Sequence, residues 1–224
     1  MSADDPLRRV RRGGGLVVLV HGIWMHGMAM QVIARLLEQR GFRTHRVSYD
    51  FLGASPAENA ESLHAEVRAL GEPVHLVAHS LGGIVVLHLL SRYPELEIGR
   101  VVLLGSPVRG SRVARRVHAR AFLRPLLGRS VEKGLLGGAP EPDGRVPLGV
   151  ITGSARFGVS ALLYPTEDTS DGVVAESETL LDNVTERISL PRSHSAMLFS
   201  RLCADHIARF LLTGTFREGG GASR

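Results

Sequence analysis

The stretch Val74-His75-Leu76-Val77-Ala78-His79-Ser80-Leu81-Gly82-Gly83 leaves few folds open to this chain. An apolar run rich in β-branched residues ends at Ser80, and two glycines follow before a helical pattern begins. The serine is therefore expected on a tight strand-to-helix turn. Such a turn raises the hydroxyl at the end of a sheet and aims the first helical N–H groups at whatever it attacks. An ordinary N-cap serine is the plainer alternative.

On either side of this stretch, strand and helix signals alternate. Leu16 to Val20 is uninterrupted apolar sequence, as expected of a central parallel strand covered on both faces. Helical periodicity runs from about Met28 to Gln39, with Gly41 as its stop, and Thr44 to Tyr49 reads as a strand. Pro56 opens a helix with Ala60, Leu63, Val67 and Leu70 as its apolar stripe. The helix after Ser80, from Gly82 to Arg92, is apolar nearly all round and should be deeply buried. Val101 to Leu104, Val146 to Ile151 and Val184 to Leu190 complete the strands, and a helix from about Ala196 to Leu212 closes the chain. The pattern predicts an α/β fold with a mostly parallel central sheet, helices on both faces and right-handed crossovers. In such sheets ligands bind beyond the carboxyl ends of the strands.

At 224 residues the chain can bury its core without metal or disulfide staples, and one domain over 15–213 is expected. Residues 1–14 read as a flexible basic leader and 214–224 as a flexible tail. The single cysteine, Cys203, and the lack of clustered Cys and His at ligand spacing lead us to expect a cytoplasmic protein with no metal or cofactor. No apolar stretch is long enough to span a bilayer. The formal charge of +5 comes from arginine, since Lys133 is the only lysine. Compositional usage on a solvated surface accounts for that excess most simply, and anionic lipid at a membrane periphery is the partner it would otherwise suit. Nucleic acid is not expected, because the basic residues are scattered and aromatics are sparse.

A second motif, Val20-His21-Gly22-Ile23-Trp24, directly follows the first strand. Acyl transfer builds negative charge on a carbonyl oxygen, and each backbone donor aimed at that oxygen is worth about 2.7 to 4 kcal/mol. Gly22 lets the loop bend in, so the backbone N–H groups of Ile23 and Leu81 are assigned as the oxyanion donors. His21 is expected to hold the loop rather than to move protons. Trp24 and Met25 would wall the substrate-binding site, unless Trp24 packs under the neighbouring loop.

His21-Gly22-Ile23 taken with Ala78-His79-Ser80-Leu81-Gly82-Gly83 resembles the small bacterial lipases and serine esterases of the α/β-hydrolase family, over about Leu16 to Leu212. Leu103-Leu104-Gly105-Ser106-Pro107 and Asp171-Gly172-Val173-Val174 are similar to segments of that group, although Ala78 stands where the familiar signature has glycine. The resemblance implies the chain order serine, acid, histidine. On that order Ser80 is the nucleophile and His194 the base, on a loop between the last strand and the closing helix. Asp171 is the acid, with Asp168 as runner-up on the same polar loop as Thr166 and Glu167. His118 and His206 are left to the basic insertion and to helix packing.

The implied activity is hydrolysis of carboxylic esters of short to medium acyl chains through an acyl-enzyme. A lipase or phospholipase at lipid interfaces, an acyltransferase, and a non-catalytic binder on the same fold remain the alternatives. Residues 109–145, with Val113, Val117 and Ala121 at helical spacing among arginines, imply a cap or lid; a solvated helix beside the sheet is the competing expectation. Oligomeric state is not legible in the sequence.

Overall fold

The computed structural model describes residues 14–155 and 168–217. The expected leader up to residue 13, Thr166, Glu167 and the expected tail from residue 218 lie outside the described residues.

Among the described residues, one six-stranded sheet runs in the order β2-β1-β3-β4-β5-β6, every pair parallel. Its strands are β1 (Leu16–Val20), β2 (Arg43–Arg46), β3 (Val74–His79), β4 (Ile98–Leu104), β5 (Leu148–Gly153) and β6 (Glu186–Leu190). The helices are α1 (Gln31–Glu38), α2 (Pro56–Ala69), α3 (Leu81–Arg92), α4 (Arg112–His118) and α5 (Arg201–Thr213), with short 3-10 turns between them. The α/β fold expected from the alternating pattern is thus present.

Strand alternation divides the core in two. Leu16, Val18 and Val20 of β1, with Leu76 and Ala78 of β3, face α2 and α3. Val17 and Leu19, with Val77, face α1 and α5. Both faces of β1 and β3 are therefore dry, which is why these strands read as continuous apolar runs rather than alternating ones.

Helix α2 starts on a capping box. Ser55 Oγ accepts from the Glu58 N–H, the Glu58 carboxylate accepts from the Ser55 N–H at 2.7 Å, and Pro56 opens the first turn. Helix α3 closes tightly on the end of β1 and on Ser106. A Cβ on Gly82 would stand 2.5 Å from the carbonyl oxygen of His21 and 2.6 Å from that of Val20, and one on Gly83 would stand 2.1 Å from Ser106 Oγ. Both glycines are required by close approach.

Several boundaries differ from the sequence reading. The first helix opens as a 3-10 turn over Gly27–Met30, and β2 stops at Arg46, before Val47 to Tyr49. The closing helix is broken at Ser200, whose side chain caps α5 by accepting from the Cys203 N–H. In the insertion, α4 ends at His118 and a separate 3-10 helix spans Ala121–Leu126 around Pro125, so Val113, Val117 and Ala121 do not form one buried stripe; Ala114 is the buried residue of α4. A tail does not begin at 214 either. Phe216 is buried against Phe210, with its N–H on the Glu186 carboxylate.

The close approach of α3 predicts a cost for the smallest side chain. Gly82→Ala should lose about 1–3 kcal/mol to overpacking, a fall of several degrees in a thermal melt. An unchanged melting temperature would contradict the contact with the backbone of the β1 loop.

Candidate active site

Ser80 sits between β3 and α3 with φ 54° and ψ −123°, a backbone region that a non-glycine residue occupies at a cost of about 1–3 kcal/mol. The turn is pinned by the Ser80 N–H, which donates to the Leu104 carbonyl at 2.9 Å, and by the Gly83 N–H, which donates to the Ser80 carbonyl at 3.0 Å. Leu81 opens α3, so its N–H lies in the first turn, where no carbonyl of the same helix can accept it.

The loop after β1 closes on this turn. A Cβ on Gly22 would lie 3.0 Å from Ser80 Cβ, so the backbone that leads into Ile23 runs directly beside the serine. His21 is buried, its Nδ1–H donates to the Gly22 carbonyl at 2.8 Å, and its ring stacks on Tyr49 at 4.3 Å. The Tyr49 hydroxyl donates back to the His21 carbonyl at 2.6 Å, and burial pushes its pKa up. These bonds give His21 a holding position in the loop. Trp24, at φ 56°, is exposed, and its indole N–H donates to the Leu126 carbonyl in the insertion at 2.7 Å. Met25 is half-buried against the core of α1 and α5.

His194 follows β6 and precedes the 3-10 turn Ser195–Phe199. Its Nδ1 lies 2.7 Å from Asp171 Oδ2, with both residues buried. An ionised carboxylate only accepts, so this bond takes a proton on Nδ1, and in the neutral imidazole Nε2 then keeps its lone pair. Asp171 is held on every side: Oδ1 accepts from the N–H groups of Val173 and Val174 at 2.9 and 2.7 Å, and its carbonyl accepts from the His194 N–H at 2.9 Å. Asp168 is instead exposed, and its carboxylate is taken up by Arg112 at 3.2 Å and by the Ser177 hydroxyl at 2.8 Å.

Two residues that sequence reasoning left without a role complete the geometry. His79 points to the sheet face opposite α3, as alternation requires, and there its Nε2–H donates to the His194 carbonyl at 3.1 Å; the two rings stand 4.5 Å apart. His79 is fully buried, so burial first and the neighbouring His194 second hold its pKa well below the usual imidazole range. It is a neutral peg under the His194 loop. Gly105, at φ 52° after β4, is the other: a Cβ there would meet Asp171 Oδ2 and Met197 Cε at 2.8 Å and His194 Nδ1 at 3.1 Å. Its presence in the motif Leu103 to Pro107 was the only trace of this in the sequence.

The comparisons with known proteins agree with this architecture. Residues 17–212 match the alpha/beta hydrolase family, and the chain belongs to that family. The fold is similar to that of the mature lipase BlEst2 of Bacillus licheniformis, at TM-score 0.74 and 20% identity over 87% of this chain and 91% of that one. A metagenomic carboxyl esterase aligns at TM-score 0.67 and 21% identity over 89% of this chain and 76% of its own. The monoacylglycerol lipase of Paleococcus ferrophilus aligns at TM-score 0.61 and 17% identity, over 91% and 96%. No match was found among curated protein sequences.

Buried histidines make stability depend on pH. Burial lowers the pKa of His21, His79 and His88, and burial together with the charge of Arg100 lowers that of His75 to about 4. Below 6.5 the unfolded chain takes up protons that the folded chain refuses. Stability should therefore be full above 6.5 and fall with falling pH, by up to about 1.4 kcal/mol per pH unit for each group. The His75 contribution should level off below about 4. Urea unfolding on either side of this window checks it, and His75→Phe should flatten the slope; an unchanged slope would contradict the assignment.

Proposed function

We propose that this chain is a serine hydrolase of carboxylic esters, with Ser80 as nucleophile, His194 as general base and acid, and Asp171 as the residue that orients His194. One observation carries the reading: a buried imidazole, fixed by Asp171 in the tautomer that leaves Nε2 basic, lies on the same sheet edge as a serine held in a strained strand-to-helix turn. A serine hydroxyl is a weak nucleophile without such a base, and the base needs a partner to hold its tautomer and to stabilise the imidazolium.

In the first half-reaction Ser80 Oγ attacks the ester carbonyl and its proton passes to His194 Nε2. The charge that develops on the carbonyl oxygen faces the N–H groups of Ile23 and Leu81. As the tetrahedral intermediate collapses, the C–O bond to the alcohol breaks and His194 gives its proton to the leaving oxygen. Water then repeats the sequence on the acyl-enzyme, with His194 taking the water proton and returning it to Ser80. Asp171 holds His194 through the cycle, with Oδ1 fixed by two backbone N–H groups and Oδ2 facing the ring.

The substrate class proposed is an ester of a short to medium acyl chain, small molecule or lipid. Residues 109–145 would form a cap beside the mouth of the site. The bond from Trp24 to Leu126 supports that placement, because it ties the loop carrying Ile23 to the insertion.

A series of acyl esters of graded length, run with each variant, tests the reading. Ser80→Ala should abolish turnover of every member. Asp171→Asn should lose about 10⁴ in kcat, the scale expected when the histidine loses its oriented tautomer, while Asp168→Asn keeps most activity. Turnover by Ser80→Ala would sink the nucleophile, and the reverse ranking of the two aspartates would move the acid. Gly105→Ala should lower kcat on the scale of about a hundredfold for a displaced catalytic group and leave KM nearly unchanged; wild-type kcat in that variant would contradict the tight packing of the Asp171–His194 pair.

A further inference from the structure

From Arg109 to Val131 the chain carries seven arginines and no aspartate or glutamate. Six of them fall into two groups. At the base of the insertion Arg109 pairs with Glu141 at 3.1 Å, Arg112 with Asp168 at 3.2 Å, and Arg129 with Glu58 at 2.7 Å. Arg115 folds back onto this base and donates to the Arg109 carbonyl at 3.1 Å, whereas toward the tip Arg124 donates to the His118 carbonyl at 2.8 Å. Arg120 and Arg124 are exposed, and neither meets a carboxylate among the described residues.

Large apolar side chains protrude at the same tip. Phe122 is 78% exposed and Leu126 50%, both on the 3-10 helix Ala121–Leu126. Trp24, 56% exposed, is bound to the Leu126 carbonyl and so belongs to the same patch. Single exposed apolar residues are ordinary on a protein surface. Two large ones on a single short turn, with a third bonded to its backbone, beside arginines that meet no carboxylate among the described residues, are not a scattered background. The underside of the insertion is anchored instead: Ala114, Leu127 and Leu135 enter the core over α3, and the Lys133 carbonyl lies 2.8 Å from His88 Nε2.

We propose that this tip docks the protein on an anionic lipid bilayer. Phe122, Leu126 and Trp24 would enter the headgroup region while Arg120 and Arg124 meet lipid phosphates. Phe122, Arg124 and Leu126 project from a helix of six residues, with Trp24 bonded to its last residue, a convex arrangement that suits a fluid interface that closes round it. An indole with an apolar body and a hydrogen-bonded N–H is at home at that depth. Docked in this way, the loop that runs from Gly22 through Trp24 would face the lipid, so an ester-bearing lipid would reach Ser80 without crossing bulk water. The docking itself does not depend on the chemistry proposed for Ser80.

The test uses the sole tryptophan as reporter, in the Ser80→Ala protein so that lipid turnover plays no part. Vesicles of phosphatidylcholine alone are compared with vesicles in which a third of the lipid is phosphatidylglycerol. The protein should sediment with the anionic vesicles alone, its Trp24 emission should shift to the blue, and added salt should release it. Arg120→Gln with Arg124→Gln should weaken partitioning by about thirtyfold, and Phe122→Ser should weaken it separately. All three substitutions should leave hydrolysis of a soluble short ester unchanged, so a failure of docking stays distinct from a failure of catalysis. Salt dependence of the unsubstituted tip serves if a variant does not fold. Failure to bind anionic vesicles, or binding that survives both the arginine changes and salt, would overturn the proposal. So would equal retention on heparin with no shift of Trp24 emission, which would replace the bilayer by a generic polyanion.

Discussion

Everything at the site depends on the turn at Ser80. A residue with a Cβ does not hold φ 54° and ψ −123° unaided, so the surrounding packing must impose it. Dry strands on both sides, the bond from the Ser80 N–H to the Leu104 carbonyl, and the burial of α3 against the sheet supply that constraint. The glycines are where it becomes visible. Gly82 brings the helix against the His21 and Val20 carbonyls, and Gly22 brings the next loop against Ser80 itself. Strain at the serine and close approach by its neighbours are the same fact seen from two sides.

Asp171 and His194 stand 23 residues apart in the chain, and short contacts align them. Asp171 is fixed by its own loop through Val173 and Val174 before it meets His194. The His194 loop is fixed from below by His79 and from the side by the backbone bond to Asp171. Gly105 leaves room for the pair. Burial of this pair explains why the hydrogen bond matters more here than on the surface, where exposed ion pairs such as Arg43 with Glu72 contribute little.

The parts of the fold legible in the sequence were those set by local pattern. Leu16–Val20 matches the observed β1 at both ends, and Pro56 marks the start of α2, because a double-sided core and a proline cap each leave an unambiguous trace. The short ends were not legible. Val47 to Tyr49 looks like strand, yet Tyr49 is drawn away by its bond to His21, a contact that no local pattern encodes. The break at Ser200 and the break before Ala121 likewise depend on a cap and a proline inside apolar periodicity. Ser80 and the His21 loop were readable from motif, whereas His79 and Gly105 act through contacts across the sheet. That Arg112 holds Asp168 while His194 meets Asp171 depends on contacts that no local pattern in the polar loop encodes.

The central claim is that Ser80 and His194 work as one chemical unit with Asp171. Reaction with a serine-directed fluorophosphonate, followed by proteolysis and mass spectrometry, tests it most directly. One adduct per chain is expected, on the peptide that contains Ser80, and His194→Gln should suppress its formation. An adduct on another residue, or undiminished labelling of the His194→Gln protein, would contradict the account.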